Sequence, residues 1–506
     1  MKVLVIGGVA AGTKAAAKLK REDRGLDVAL ITKDQDISYA GCGLPYYVGG
    51  MIESRDELIV NTPEKYAALT GVRVLTGREA VELDSGKKLV TAKNLITGET
   101  EAYSYDRLVI ATGASSAVPP IEGVGLKGVF KMRTPDDAIR IRDYVEAERV
   151  KKAVVIGGGF IGLEVAENLL AQGVDVTVMD FASQIMPNVL DPEMADYAQR
   201  HLRKQGVRVL TGTKAEKLVG DVRVTAVKTA SATLPAELVV LSAGIRPNTA
   251  FLASSGIEME KGAFVVDSQL KTNLPGVYAA GDCALVTNRI TGRRQWSPMG
   301  SSANLEGRTL AQVLAGKEKT YPGVLGTGVV KLPGLNCGRT GLTEAQAKEA
   351  GVYQAFVMDE VFDKMETGEA AISAYYAGDY LTMLETNPDL KYVVPEEGSN
   401  WFVDAMCVLK DAENKDEAEE WINFLCSTDA SLKNMDYIWY ASPNKEALEQ
   451  YPEYYEETYG EELDPELYEI MAAPQEVLKN CEAYLVRPAA TRTLYNDLWT
   501  DLGILA

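Results

Sequence analysis

Val3-Leu-Val-Ile-Gly-Gly-Val-Ala-Ala-Gly12 opens the chain with a short apolar run, a glycine-rich turn and the start of an Ala-rich segment. Val154-Val-Ile-Gly-Gly-Gly-Phe-Ile-Gly162 repeats the plan about 150 residues on. Each pattern predicts a strand (Val3–Ile6; Ala153–Ile156), a tight turn, a helix to about Arg21 or Ala171, and a second strand (Val28–Ile31; Val174–Met179). Glycines suit such a turn because its backbone must approach a pyrophosphate closely. The phosphate charge then meets free N–H groups at the positive end of the helix dipole. One fingerprint is weak evidence, but two in register are strong. The heptapeptide Gly-Val-Arg-Val-Leu-Thr-Gly also occurs twice, at Gly71–Gly77 and Gly206–Gly212, in the third-strand region of each unit. An α/β fold with two related dinucleotide-binding units is expected.

The first fingerprint departs from strict G-x-G-x-x-G, since Val9 takes the middle glycine's place and Gly8 precedes it. An acid at the end of the second strand normally binds ribose hydroxyls. The second unit supplies Asp180 with no Arg or Lys directly after it, which favours NADH over NADPH. The first unit has Thr32 at that position, followed by Lys33 and Asp34. Leu108-Val-Ile-Ala-Thr-Gly113 reads as a crossover strand and Leu238-Val-Val-Leu-Ser-Ala-Gly244 as its return. Val277-Tyr-Ala-Ala-Gly-Asp282 places an acid at a strand end, where a ribityl hydroxyl could bond it.

Between the fingerprints lies Ser38-Tyr-Ala-Gly-Cys-Gly-Leu-Pro-Tyr-Tyr47. With Tyr278-Ala-Ala-Gly-Asp-Cys283 and Gly300-Ser-Ser-Ala-Asn304, this run makes residues 1–352 resemble the single-cysteine branch of the pyridine nucleotide–disulfide oxidoreductases. That branch includes coenzyme A-disulfide reductases, NADH oxidases, NADH peroxidases and sulfur reductases. The resemblance implies two Rossmann-like, glutathione-reductase-like domains: FAD-binding at 1–112 and 245–320, NAD(H)-binding at 113–244. It implies FAD and NADH as cofactors and Cys42 as the redox-active nucleophile. Gly7, Gly8, Ala11, Gly12, Lys33, Asp34, Ala111, Thr112, Gly113, Gly281 and Asp282 would hold FAD. Gly157, Gly159, Phe160, Ile161, Gly162, Glu164, Asp180 and Gly244 would hold NAD. Phe160 would gate the flavin ring, and Glu164 would lie beside the nicotinamide.

The nucleophile must be a thiolate. Gly43-Leu-Pro-Tyr-Tyr is expected to open a helix whose N-terminal dipole favours the anion. The single histidine of the chain, His201, is remote in sequence. Peroxidase-type and oxidase-type relatives carry a His in the first fingerprint, at a position that is Ala10 or Ala11 here, so thiol–disulfide exchange is expected over peroxide chemistry. Water- or peroxide-forming NADH oxidase is the alternative. Lys14, Lys18 and Arg21 share one face of the first helix. By resemblance, with Ser38 and Gly41, they would meet the anionic nucleotide of a CoA disulfide; a solvated basic stripe is the alternative.

A break follows. Residues 1–352 carry a net charge of +4 and residues 353–506 one of −24, and four of five Trp and 14 of 24 Tyr fall in the second part. The family's dimerisation domain begins at about residue 321 and stops at 352, which places the family homodimer in doubt. Four runs then resemble the C-terminal part of spermidine/putrescine-binding proteins of ABC importers. They are Met358-Asp-Glu-Val-Phe-Asp-Lys-Met-Glu-Thr-Gly-Glu-Ala-Ala371, Tyr375-Tyr-Ala-Gly-Asp379, Pro395-Glu-Glu-Gly-Ser-Asn-Trp-Phe-Val-Asp404 and Tyr440-Ala-Ser-Pro-Asn444. Residues 353–506 are therefore expected to form a partial periplasmic-binding-protein-like α/β lobe. By resemblance Tyr376, Phe402, Asp404, Tyr440 and Tyr484 would line a polyamine cleft by carboxylate and cation–π contact. About half of such a two-lobed cleft is present, so polyamine binding is expected to be weak. A transport-type binding module with an inert front half is the rival reading.

No run of 18 apolar residues occurs, so no membrane span is expected. The start runs straight into a strand, with no room for a signal peptide, and a cytoplasmic location is expected. Six scattered Cys show neither metal-ligand spacing nor a disulfide framework. The acidic tail argues against nucleic acid.

Overall fold

In the computed structural model, the described residues are 1–352, 360–396, 398–483 and 491. The chain divides into two compact units, Met1–Tyr353 and Gln354–Ala506.

The first unit contains two five-stranded parallel sheets built on one plan. β1 (Lys2–Ile6), α1 (Ala10–Glu22) and β2 (Asp27–Ile31) start the first sheet. A short helix, α2 (Leu44–Val48), follows the Cys42 turn. β3 (Lys152–Ile156), α3 (Phe160–Ala171) and β4 (Asp175–Met179) start the second sheet. The first sheet runs in the order 277–279, 107–110, β1, β2, 73–75, and the second in the order 129–131, 238–241, β3, β4, 208–210. Each copy of the repeated heptapeptide supplies the edge strand next to the second strand. The far edge differs: the first sheet takes it from late in the chain, the second from residues preceding β3. That exchange threads the second sheet's residues through the middle of the first domain.

All inner strands are apolar on both faces, as parallel strands covered by helices must be. Val3, Leu4, Val5, Val154, Val155 and Val239 are at most 2% exposed. Helix α1 packs along α4 (Gly300–Leu314), which carries buried Ala303, Gly307, Leu310 and Ala311. The hairpin of β5 (Gly328–Leu332) and β6 (Leu335–Arg339), with the short helix Glu344–Ala350, is what the first unit holds of the expected interface domain. Val330 and Leu332 of that hairpin share a core with Leu44 and Val48 of α2 and Leu163 and Leu169 of α3. The Cys42 segment and the hairpin are thus anchored to the second sheet's helix.

In the second unit, α5 (Ala377–Met383), α6 (Lys415–Leu425), α7 (Thr428–Ile438) and α8 (Lys445–Tyr459) are the main helices. Ser427 and Asn444 cap α7 and α8 by accepting from the N–H groups of Ala430 and Ala447. Leu381, Leu432, Met435, Ala447 and the fully buried Tyr451 form its core. Asn400–Trp401 pairs in parallel with Glu482–Ala483. Among the described residues no helix is long and apolar enough to cross a membrane.

Candidate functional site

The two fingerprint turns have matching geometry. Gly7 and Gly157 have φ of +116° and +117°. A Cβ at these positions would lie 2.0 Å from the Ala111 carbonyl oxygen and 2.2 Å from that of Ser242. A Cβ on Gly12 or Gly162 would stand 2.0 Å from the carbonyl oxygen of Gly7 or Gly157. These four glycines are required by backbone closeness within the protein. Gly159 differs: a Cβ there meets nothing within 4 Å, so the space beside it is open to a ligand. Neither α1 nor α3 has a side-chain cap, whereas Thr62 and Thr134 cap the helices that follow them. Uncapped first-turn N–H groups are what a bound pyrophosphate satisfies. Ser242 Oγ is buried beside the second turn without a protein partner. The residues present therefore fit two dinucleotides.

Asp180 stands at the end of β4. Its carboxylate accepts the Gly158 N–H at 2.7 Å and the Ala182 N–H at 2.9 Å, so it is fixed against the second turn. Its counterpart Thr32 is buried and packs its methyl group on Gly8. Lys33 is exposed, while burial pushes the Asp34 carboxyl above its ordinary value.

The segment 111–113 is bound to Asn248: Thr112 Oγ1 donates to the Asn248 carbonyl at 2.8 Å, and Asn248 Nδ2 donates to the Thr112 carbonyl at 3.0 Å. Arg133 Nη2 donates to Asp282 Oδ2 at 2.7 Å. Trp296 Nε1 donates to the Asp282 carbonyl at 2.8 Å. The Gly281 N–H donates to the buried Glu306 Oε2 at 2.6 Å. Gly244 (φ +98°) has open space around it, and its carbonyl accepts the Ala117 N–H at 2.9 Å.

Cys42 lies in a single 3-10 turn, Gly41–Gly43, directly before α2. The residue is exposed, yet enough protein surrounds the sulfur to push the thiol above its ordinary value, with the Glu164 and Asp282 carboxylates adding to that and Arg133 opposing it. The expected helix is present as α2, five residues long, and the Arg133 guanidinium is a cation that acts on the thiol.

Tyr46 on α2 donates to Glu164 on α3, which also accepts the Lys331 backbone N–H from β5. Burial and Glu167 push the Glu164 carboxyl up to about 7, and burial with Glu164 pushes the Tyr46 hydroxyl up to about 12. Lys331 Nζ lies 3.5 Å from Glu167 and 5.9 Å from the Tyr46 ring centroid. Phe160 packs its ring against Gly328, 3.0 Å from where a Cβ would be. Ile161 follows it in the first turn of α3.

Structure thus brings Cys42 together with Glu164 and Asp282, from three distant stretches of chain. Arg133, Tyr46, Lys331 and Glu306 escaped the sequence reading. Arg133 stands outside any motif and carries no signal, whereas Tyr46 lies within the Cys42 run. Glu306 did carry one: it shares helical spacing with Ala303 and Leu310, so an acid stands on an otherwise apolar face.

Of the basic stripe on α1, Lys18 is tied to Glu22 at 2.6 Å, and Lys317 holds the same carboxylate at 2.6 Å. Lys14 lies against Gly307 of α4, and Arg21 is exposed. Ser38 (φ +51°) donates its N–H to the Gly8 carbonyl at 2.8 Å, beside the first turn, and Gly41 is unobstructed. In the second unit, the Tyr376 and Phe402 rings meet edge to face at 5.6 Å, and Tyr440 donates to Asp379 at 3.3 Å. Asp404 is exposed, and Tyr484 lies outside the described residues.

Two family models match the chain. Residues 1–303 match pyridine nucleotide-disulphide oxidoreductase and residues 313–456 match bacterial extracellular solute-binding protein. The second match begins inside α4, ahead of the boundary between the units. An NADH oxidase of Methanocaldococcus jannaschii is 37% identical over 347 residues, covering 69% of this chain and 77% of that protein. A NAD(P)H coenzyme A polysulfide/persulfide reductase of Pyrococcus horikoshii is 39% identical over 359 residues, covering 70% and 79%. Among solved structures, reduced Bacillus anthracis CoADR-RHD superposes with a TM-score of 0.67 at 33% identity, over 69% of this chain and 63% of that one. The water-forming NADH oxidase of Lactobacillus brevis bound to NADH gives 0.66 at 29%, over 69% and 77%.

Proposed function

Because the chain belongs to the pyridine nucleotide-disulphide oxidoreductases, we propose that its first unit passes electrons from NADH to a small-molecule disulfide at Cys42, with CoA disulfide as the best candidate. It is an FAD-dependent enzyme, and FAD and NADH are its cofactors. In this reading residues 1–112 and 245–320 hold FAD, 113–244 hold NADH, and 321–352 begin an interface domain. Asp180 takes the nicotinamide nucleotide's ribose, Glu164 stands by the nicotinamide, and Asp282 receives the ribityl chain. FAD supplies the two-electron step between nicotinamide and sulfur.

Cys42 attacks one sulfur of the disulfide. The S–S bond breaks, one thiolate leaves, and a mixed disulfide with Cys42 remains. The electron pair from NADH then breaks that bond, and the second thiolate leaves as Cys42 regains its own. The sum is NADH, a proton and a disulfide giving NAD and two thiols. Lys14, Lys18 and Arg21 would hold the anionic part of the substrate. The observation that supports this reading is the exposed Cys42 thiol in the turn before α2, with the Arg133 guanidinium acting on it against the Glu164 and Asp282 carboxylates.

Oxygen reduction is the second reading, favoured by relatives named NADH oxidase. The match of residues 313–456 favours a solute-binding character for the second unit, where Tyr376 and Phe402 form an aromatic pair that suits a weak polyamine contact.

Purified protein should be yellow and should bleach on adding NADH. Faster NADH consumption with CoA disulfide than with oxygen supports the first reading; the reverse order supports the second. Cys42→Ser should keep the flavin and lose disulfide turnover, and full turnover by that variant would remove Cys42 from the reaction.

A further inference from the structure

Glu306 is 2% exposed on α4, the helix that packs along α1, and no step of the proposed reaction uses it. Its carboxylate accepts the Gly281 N–H at 2.6 Å, in a turn where Gly281 has φ of +79° and leads directly into Asp282. The surroundings leave no slack. A Cβ on Gly281 would lie 3.0 Å from the Ala11 Cβ, and one on Gly307 would lie 2.5 Å from the Ala11 carbonyl oxygen. The buried carboxylate therefore holds a turn that leads into the strand-end acid and that packs, through Gly281, on the first turn of the fingerprint helix.

We propose that Glu306 is a positioning residue for FAD, holding the Gly281–Asp282 turn against the fingerprint helix and coupling flavin binding to its own protonation. The inference rests on the assignment of this turn and of α1 to FAD. An ionised carboxylate beneath a helix N-terminus that carries a pyrophosphate opposes the bound anion, and a neutral one does not. Burial already pushes this carboxyl up to about 7, with the Gly281 N–H pulling it down and the Asp282 carboxylate pushing it up. The other titratable group that faces it is Tyr321, 7% exposed, whose hydroxyl bonds Ser302 on the same helix. Helix α1 presents Ala11 and Ala15 at this level, with Lys14 beside Gly307. Among the described residues, no cation belongs to the groups that act on Glu306.

Linkage sets the sign: flavin binding favours the protonated form, so affinity should fall as pH rises through the neutral range. The test is titration of flavin-free full-length chain with FAD, followed by flavin fluorescence, from pH 6 to 9. Wild type should weaken by about tenfold, the equivalent of one unit of coupling. Glu306→Gln, which keeps the acceptor and cannot ionise, should bind with little pH dependence. Glu306→Leu, which removes the acceptor, should bind more weakly at every pH; if it does not fold, Glu306→Gln still decides. Equal pH slopes for wild type and Glu306→Gln, or a flat wild-type profile, overturn the inference. A wild type that binds no FAD at any pH overturns the FAD assignment itself, which is a separate failure.

Discussion

Arg133 and Asp282 form an ion pair at 2.7 Å that joins the lead-in to the helix at 135–148 with the strand-end acid of the other sheet. Residue 133 belongs to the stretch that builds the second sheet, and residue 282 follows the edge strand of the first. The same guanidinium acts on the Cys42 sulfur. One side chain thereby ties the two nucleotide folds together and opposes the Glu164 and Asp282 carboxylates at the Cys42 thiol.

Replacing Arg133 by Ala should raise the Cys42 thiol further, because it removes the cation that opposes Glu164 and Asp282. Alkylation of Cys42 by iodoacetamide, read on its own peptide by mass spectrometry, should slow at pH 8. Flavin content should fall, and the unpaired Asp282 should cost about 1–3 kcal/mol of stability, visible as a lower Tm. Unchanged alkylation would show that the guanidinium does not act on the sulfur.

Glu164→Gln should act in the opposite direction and only over part of the pH range. The Glu164 carboxyl is pushed up to about 7 by burial and Glu167. Below that pH it is neutral, and variant and wild type should alkylate alike. Above it the wild-type carboxylate opposes the Cys42 thiolate, so the variant should react faster. A constant rate ratio across pH 6 to 9 would contradict this.

Two glycines of the second turn should separate folding from binding. Gly157→Ala forces a Cβ to within 2.2 Å of the Ser242 oxygen at a φ of +117°, and should cost about 1–3 kcal/mol. Gly159→Ala meets nothing within 4 Å at a φ of −86°. It should leave Tm nearly unchanged and raise the KM for NADH, since the added methyl enters the space left for the nucleotide. Equal KM values would place the pyrophosphate elsewhere.

Lys18→Glu should raise the KM for CoA disulfide several-fold and spare flavin content. The substitution also removes the 2.6 Å partner of Glu22. Lys317 still holds that carboxylate, so folding should survive. No change in KM would return the basic stripe to ordinary surface.

Strand and helix positions in the first unit were legible because their causes are local. The apolar runs at 3–6 and 153–156 and the glycines after them specify strand, turn and helix within about ten residues. The Ala-rich segment ends at Glu22, one residue beyond the expectation. The charges that act on Cys42 were not legible, because an arginine that packing delivers to the sulfur looks no different in sequence from a surface arginine.

The residues alone determined that two nucleotide turns exist, that each needs glycine where a carbonyl oxygen presses on the Cα, and that one sulfur follows the first of them. Only the tertiary structure decided what surrounds that sulfur. Arg133, Glu164 and Asp282 lie about 90, 120 and 240 residues from Cys42 along the chain, and the hairpin at 328–339 arrives later still. Turns are fixed by the sterics of neighbouring residues, whereas the charge around a side chain depends on which distant groups packing delivers there.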